Sequence, residues 1–362
     1  MARIVVSIFG KHVWRSDLME ITTHLYNEDG SAWDAFVAGH QDSTNYHQYG
    51  WRKVVEKSFG HRTMYLAATN GRSQICGVLP FVQMKSMIFG SFLVSLPFFN
   101  YGGMLTSEDS TAGELLNASR RMLSGTGVDH IEFRHIKRCD EVASTKQHKV
   151  TMILNLEKSM EDQWSALDAK VRNQVRKAQK SGLKAVIGGA ELLGGFYEVF
   201  CRNMRDLGTP VYGRTFFSNV LEEFPDSTRI LSVLHDGRTI ASALLTWYRD
   251  NLEVPWASSN RDFRQLCPNN LLYWEAIRFA IGMGARTFDF GRSTPDEGTY
   301  NFKKQWGARP LQLYWQYLLH EGDALPEINP ANPRYRLAIK SWQRLPLMVT
   351  NFLGPHIVRS IP

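Results

Sequence analysis

Cysteine is scarce in this chain, with four in 362 residues, and Cys76, Cys139, Cys201 and Cys267 show no CxxC spacing. That excludes a disulfide framework and a zinc cage of ordinary spacing, and it fits a reducing compartment. HExxH, P-loop and GxSxG motifs are all missing, which removes the commonest metalloprotease, nucleotide-hydrolase and serine-hydrolase chemistries. His130 and His135 sit in HIEFRH on opposite faces of an expected strand, so no metal site is expected. The opening MARIVVSIFGKHVWRSD lacks both a signal-peptide core and a small-residue cleavage site, which argues for a cytoplasmic protein. Long uncharged runs are rare as well. Residues 86–105, SMIFGSFLVSLPFFNYGGML, approach the length of about 20 that a spanning helix needs. Three glycines, Pro97 and Asn100 interrupt them, so short buried strands are expected instead.

What remains is ample core material: 43% hydrophobic, 12% aromatic and 21% charged residues, in a length suited to two domains. A net charge of +7 favours anionic partners such as phosphates, tRNA or an acidic membrane surface. DNA is not among the expected partners.

The two halves resemble each other. GTGVDHIEFR (125–134) and GMGARTFDFG (282–291) each follow a helical stretch and read as a Gly-x-Gly terminator, then a strand with an acid before phenylalanine. Upstream, residues 64–81 and 229–247 each place two apolar strands around Asn-Gly-Arg or Asp-Gly-Arg, a hairpin signal whose two central residues are expected at positive φ. The fold class expected is α/β (α+β): two tandem acyltransferase-type domains, each a mixed sheet flanked by helices. The expected boundaries are 1–155, 156–325 and a C-terminal extension, 326–362. Topology alone fits any duplicated α+β domain equally well.

Between the halves, Ser159 is expected to cap one helix over 160–181, stopped by Gly182. Trp164, Leu167, Val171, Val175 and Ala178 fall on one face, and Lys170, Arg172, Arg176, Lys177 and Lys180 on the other. That basic face reads first as solvated, and secondly as a donor-phosphate contact through Arg172 and Arg176.

The chemistry-bearing stretch follows the second acid-bearing strand. Asp289 is a candidate base, equally readable as a brace for its loop, with Arg292, Lys303 and Lys304 beside it and Tyr300, Phe302 and Trp306 as an aromatic wall. Tyr300 and Trp306 read more readily as packing than as catalysts. Forming an amide from an ester or thioester creates an oxyanion, which a fixed cation stabilises.

YNFKKQWGA, with KVRNQVRKAQKSGLKAVIG (170–188) and FCRNMRDLGTPVYGRTFF (200–217), resembles the Fem family, whose members join acyl or aminoacyl groups to amines of cell-envelope precursors. These segments lie within residues 160–318. HQYGWRKVVEKSFGHR and VLPFVQMKSMIFGSFLVSLPFFNYGG resemble the branch found with exosortase and exopolysaccharide systems. The resemblance implies tandem GNAT-type folds, amide-forming chemistry and Lys303 as the functional lysine, and it names no substrate. Beside it, Asp289 is read as proton acceptor or amine-orienting group, Tyr212, Arg214, Phe302, Arg292 and Tyr300 as lying around a saccharide or peptide acceptor, and aminoacyl-tRNA or acyl-CoA as co-substrate. Two departures stand out. The family's arginine–tyrosine pair before the second hairpin is not reproduced, and its first-domain lysine matches Lys53 at best. The Gly-rich turn of CoA-using relatives is replaced by RQLCPNN (264–270), where Arg264 and Asn270 are the remaining donor contacts and Asn269 or Asn270 the helix cap; CoA is therefore the second choice. A sugar N-acyltransferase and an inactive glycan-binding scaffold are the alternatives.

Residues 341–360, SWQRLPLMVTNFLGPHIVRS, are acid-free and mix apolar residues with arginine, which suits a membrane interface at the inner face. Docking on the first domain is the stronger expectation, because Pro346 and Pro355 interrupt a long amphipathic helix.

Overall fold

The computed structural model describes residues 21–86, 90–326 and 333–361. Residues 1–17, read above for a leader, lie outside the described residues. In chain order the strands are β1 (Thr22–Leu25), β2 (Arg62–Thr69), β3 (Ile75–Ser86), β4 (Gly90–Ser95), β5 (Leu105–Thr106), β6 (His130–His135), β7 (Ser144–Lys146) and β8 (Val150–Asn155). They continue as β9 (Lys184–Gly188), β10 (Thr228–His235), β11 (Arg238–Tyr248), β12 (Asn251–Ser259), β13 (Thr287–Ser293), β14 (Arg309–Gln312) and β15 (Tyr314–Leu319).

One sheet runs β1-β2-β3-β4-β6-β15-β7, with β5 on β3; the other runs β9-β10-β11-β12-β13-β8-β14. The two paths are the same. In each, the long hairpin is followed by an antiparallel strand, then a helix (Asp109–Thr126 or Pro268–Gly282) returns the chain to a parallel neighbour. The internal duplication is thus visible strand by strand.

The halves also exchange a strand. β8 follows β7 in the chain yet sits between β13 and β14, while β15 follows β14 yet sits between β6 and β7. A division at 155/156 therefore leaves β8 and β15 each in the half whose sheet it does not join. Burial explains the exchange. Val150, Met152 and Leu154 alternate into the second-half core with Val171 and Phe288, whereas Leu318 packs against the first-half cluster around Phe81 and Phe133.

The run at 86–105 forms, in its described part, the end of β3, β4 and β5, as its breakers suggested. Among the described residues no helix is long and apolar enough to cross a membrane. Only the second hairpin turns as expected, with Asp236 (φ 50°) and Gly237 (φ 76°) both left-handed. In the first, Ser73 (φ 59°) takes that conformation instead of Asn70 or Gly71. The Asn70 side chain accepts from the amides of Arg72 and Gln74, closing a longer loop.

The helix expected over 160–181 is two helices, Met160–Ala166 and Ala169–Lys180. Leu167 is extended, and Asp168 starts a new turn by accepting from the Lys170 amide at 2.7 Å. Ser159 caps the first, as expected, and Gly182 (φ 75°) follows the second.

An aromatic seam joins the halves. Trp51 and Phe99 of the first pack in one cluster with Phe216, Phe217, Phe224 and Trp256 of the second. Beside it, Lys53 is committed to an ion pair with Glu223 at 3.0 Å. The C-terminal helix Leu347–Val358 docks chiefly on the second half, against helix Leu193–Leu207, not on the first domain. It touches the first through His61 Nε2 and the Arg359 carbonyl, 2.8 Å apart. Pro355 lies within that helix rather than ending it.

Candidate active site

The parallel strands β12 and β13 pair only over Asn251–Glu253 and Thr287–Asp289 and then part. Where they part, β13 bulges between Asp289 and Arg292 relative to β8. Gly291 at φ 77° makes this possible, since a Cβ there would lie 3.3 Å from the Val254 carbonyl oxygen. Glu253 and Asp289 are register partners on neighbouring strands, so two carboxylates are buried side by side.

Tyr101, from the first half, reaches both: its hydroxyl is 2.9 Å from Asp289 Oδ2 and 3.3 Å from Glu253 Oε2. Asp289 Oδ1 also accepts from Thr151 Oγ1 at 2.5 Å and the Gly291 amide at 2.7 Å, and Glu253 Oε1 accepts from Asn100 Nδ2 at 2.8 Å. Burial raises both carboxyls. Glu253 is held well above the carboxylate range by burial and by the Asp289 charge. Asp289 rises less freely, because Thr151, Gly291, Tyr101 and Lys303 favour its charged form. Both shifts favour the protonated form of the pair, more strongly at Glu253 than at Asp289. Tyr101 and Tyr46 stay neutral, their phenols pushed far up by burial and these acids.

Lys303 lies on the short helix Gly298–Lys304 with its side chain turned inward, 7% exposed. Its ammonium donates to the carbonyls of Gly291 and Arg292, each at 2.9 Å, so it holds the bulge that carries Asp289. Burial lowers its pKa to about 8, against the opposing pull of Asp289 and Glu253. Lys304 points outward. Arg292, an exposed residue, has its guanidinium 5.2 Å from the Trp315 ring, where desolvation by the surrounding protein and the Arg134 charge lower its pKa to about 10. Arg134 lies 4.4 Å from the same ring.

The duplication shows what distinguishes the two copies. In the first sheet the acid matching Asp289 is Glu132, neutralised by Arg134 at 2.7 Å and hydrogen-bonded by Tyr317 at 3.0 Å. Its parallel-strand partner is Val94. In the second sheet the arginine position is Gly291 and the valine position is Glu253, so a salt bridge is replaced by a second acid. A cavity of about 290 Å³, lined by Tyr101, Thr151 and Asp289 among others, reaches this network. It adjoins a larger one of about 700 Å³, sharing Gln41, Ser43, Thr44, Tyr101 and Ile136.

Of the residues singled out from sequence, Asp289, Lys303 and Arg292 converge here. Tyr212 is close enough for Arg292 and Arg134 to act on its phenol, and Arg214 opens the next helix, exposed. The aromatic wall is not a pocket wall: Phe302 packs on Tyr273 and Trp306, and Tyr300 joins the same core. The donor contacts are dispersed. Arg172 donates to the carbonyls of Trp164, Ser165 and Leu167, closing the helix before it, and Arg176 lies 5.3 Å from the Trp164 ring. Asn270 bonds Gln174 at 3.0 Å inside its helix, whose cap is Cys267 without a side-chain bond; neither Asn269 nor Asn270 occupies that place. Arg264 is exposed. Sequence reading missed Glu253, Tyr101 and Thr151. Only Glu253 carried a signal, an acid between Leu252 and Val254 in an apolar strand.

Residues 167–304 match the family described as acetyltransferase (GNAT) domain. FemX, in its crystal structure, superposes with a TM-score of 0.64 at 15% identity, covering 83% of this chain and 98% of FemX. The tandem GNAT protein from the clavulanic acid biosynthesis pathway superposes at 0.51 and 10% identity, covering 85% and 100%. The chain has a tandem acyltransferase fold. A lipid II:glycine glycyltransferase of Staphylococcus haemolyticus is 31% identical over 95 residues, 24% of this chain and 23% of that protein. One from Staphylococcus epidermidis is 29% identical over 90 residues, 23% and 22% respectively. The chain therefore aligns with less than a quarter of the length of the curated relatives it matches.

Proposed function

We propose that this protein is an amide-forming N-acyltransferase of Fem type, with an aminoacyl group as the first candidate donor and an amine of a saccharide or peptide envelope precursor as acceptor. The observation that carries the reading is the second-sheet carboxyl pair, Glu253 and Asp289, unneutralised by arginine and bridged by Tyr101 within an acyltransferase fold. An amine attacking an ester or thioester forms the C–N bond, breaks the C–O or C–S bond and sheds a proton. The carboxyl pair, whose affinity for a proton is raised by burial, accepts that proton through Tyr101 and returns it to the leaving oxygen or sulfur. Lys303, with one N–H beyond its two carbonyl bonds, is the cation assigned to the oxyanion. Tyr212, Arg214 and Arg292 are assigned to the acceptor. The exopolysaccharide association rests on two first-half segments and is the finer part of the proposal.

Acyl-CoA is the rival donor. The helix start at Pro268 lacks a glycine turn, and the amides of Asn270 and Leu271 are bonded to the Cys267 carbonyl, which leaves few donors for a pyrophosphate. Incubation with charged tRNA or a panel of acyl-CoAs, each with amine-bearing nucleotide- and lipid-linked precursors, followed by mass spectrometry, tests the reading. Amide product from aminoacyl-tRNA supports it, and product from acyl-CoA alone transfers the site to the rival. No product with any donor, alongside retained glycan binding, would leave an inactive scaffold.

A further inference from the structure

The last helix is inverted in its amphipathy. In Leu347–Val358, Thr350, Gly354 and Val358 are buried, and a Cβ on Gly354 would come 2.7 Å from the Val211 side chain. Outward stand Met348 (83% exposed), Val349, Phe352 (71% exposed), Leu353 and Ile357. The preceding helix, Pro333–Trp342, adds exposed Leu337 and Ile339, and Ile339 abuts the Gly208 turn next to exposed Leu207. Seven of the twelve large hydrophobics exposed among the described residues belong to these two helices. Water-facing helices of soluble proteins place charge outward, so such a concentration calls for a covering surface.

Charge identifies the cover. Residues 333–362 contain no Asp or Glu. Arg336, Lys340, Arg344 and Arg359 are exposed around the apolar face, and none has an ion-pair partner among the described residues. A second copy of the same face would bring these cations together, whereas an anionic bilayer accepts both the apolar side chains and the basic rim. The face also adjoins the site: Gly354 and Pro355 pack on Val211 and Gly213, which flank Tyr212.

We propose that the two C-terminal helices form a peripheral docking surface for anionic phospholipid, holding the Tyr212–Arg214 loop at the bilayer. The surface stands independently of the transferase reading, since its test needs no substrate. The full chain is sedimented with vesicles of phosphatidylcholine, alone or mixed with phosphatidylglycerol. Binding is expected to the mixed vesicles and to weaken as salt rises. The double substitution Met348→Glu/Phe352→Glu is expected to lower it by about tenfold or more, with melting temperature unchanged because both side chains are exposed. Arg336→Glu/Lys340→Glu should weaken binding while flattening its salt dependence. Failure to bind mixed vesicles overturns the proposal, as does equal binding by the Met348/Phe352 variant. A concentration-dependent dimer that this variant abolishes, without vesicle binding, would assign the face to self-association instead.

Discussion

Replacing Lys303 by Met tests whether the buried ammonium serves chemistry, structure or both. Methionine keeps much of the aliphatic stem and removes the donors, leaving the Gly291 and Arg292 carbonyls without the bonds they receive at 2.9 Å. A buried acceptor stripped of its donor costs about 1–3 kcal/mol. Against this, the burial that lowers the lysine to about 8 is itself unfavourable to the charged form and disappears in the variant. The net expectation is a loss of about 1–4 kcal/mol, read as a fall of several degrees in melting temperature. If the ammonium also stabilises the oxyanion, kcat should fall by about 10² to 10³ at temperatures where the variant remains folded. In the wild type the charged form declines as pH rises through about 8, so activity should fall on that alkaline limb. Stability follows the opposite sign: a lysine depressed in the folded state favours the fold above its unfolded value and loses that contribution as pH falls through about 8. The assay is paired: transfer rate and thermal melt across pH for wild type, Lys303→Met and the outward-facing control Lys304→Met. Full activity in Lys303→Met, or equal losses in both variants, would refute the assigned role. Lost stability with an unchanged rate in the folded fraction would leave Lys303 as a brace for the bulge.

Glu253→Gln should keep the Asn100 and Tyr101 contacts while removing the ionisable carboxyl. Because the folded carboxyl is raised, its stabilising contribution is present at acid pH and lost as pH rises through the folded value, so the variant should melt higher than wild type on the alkaline side; each tenfold change in acidity is worth about 1.4 kcal/mol. Transfer by that variant should drop about 10²-fold or more, and an unchanged rate would detach the pair from catalysis. Arg172→Ala should destabilise by about 1–3 kcal/mol through the three carbonyls it serves, measured by denaturant titration, without raising the KM for any donor; a large KM effect would restore its phosphate role. Deleting the chain from residue 314 removes β15 and the C-terminal helices, so hydrogen exchange should speed up on the first sheet's β6 edge and on helix Leu193–Leu207, while β12 and β13 keep their protection.

The repeat was legible because its signals are local: apolar alternation, an Asn-Gly or Asp-Gly dipeptide between two strands, glycine after a helix. These depend on neighbours within a few residues, and they recur in both halves. Asp289, Lys303 and Arg292 were within reach of sequence for the same reason, lying on one strand and the helix after it. The exchange of β8 and β15 was not, because strand partners are chosen by which core takes the alternate side chains, a choice made across the whole chain. Lys303 was recognisable as a cation but not as a buried one, since its two acceptors exist only where Gly291 folds the bulge. Glu253 and Tyr101 became site residues only in three dimensions. A parallel register set the glutamate beside Asp289, and a loop from the other half brought the phenol to both, a proximity that no spacing along the sequence encodes.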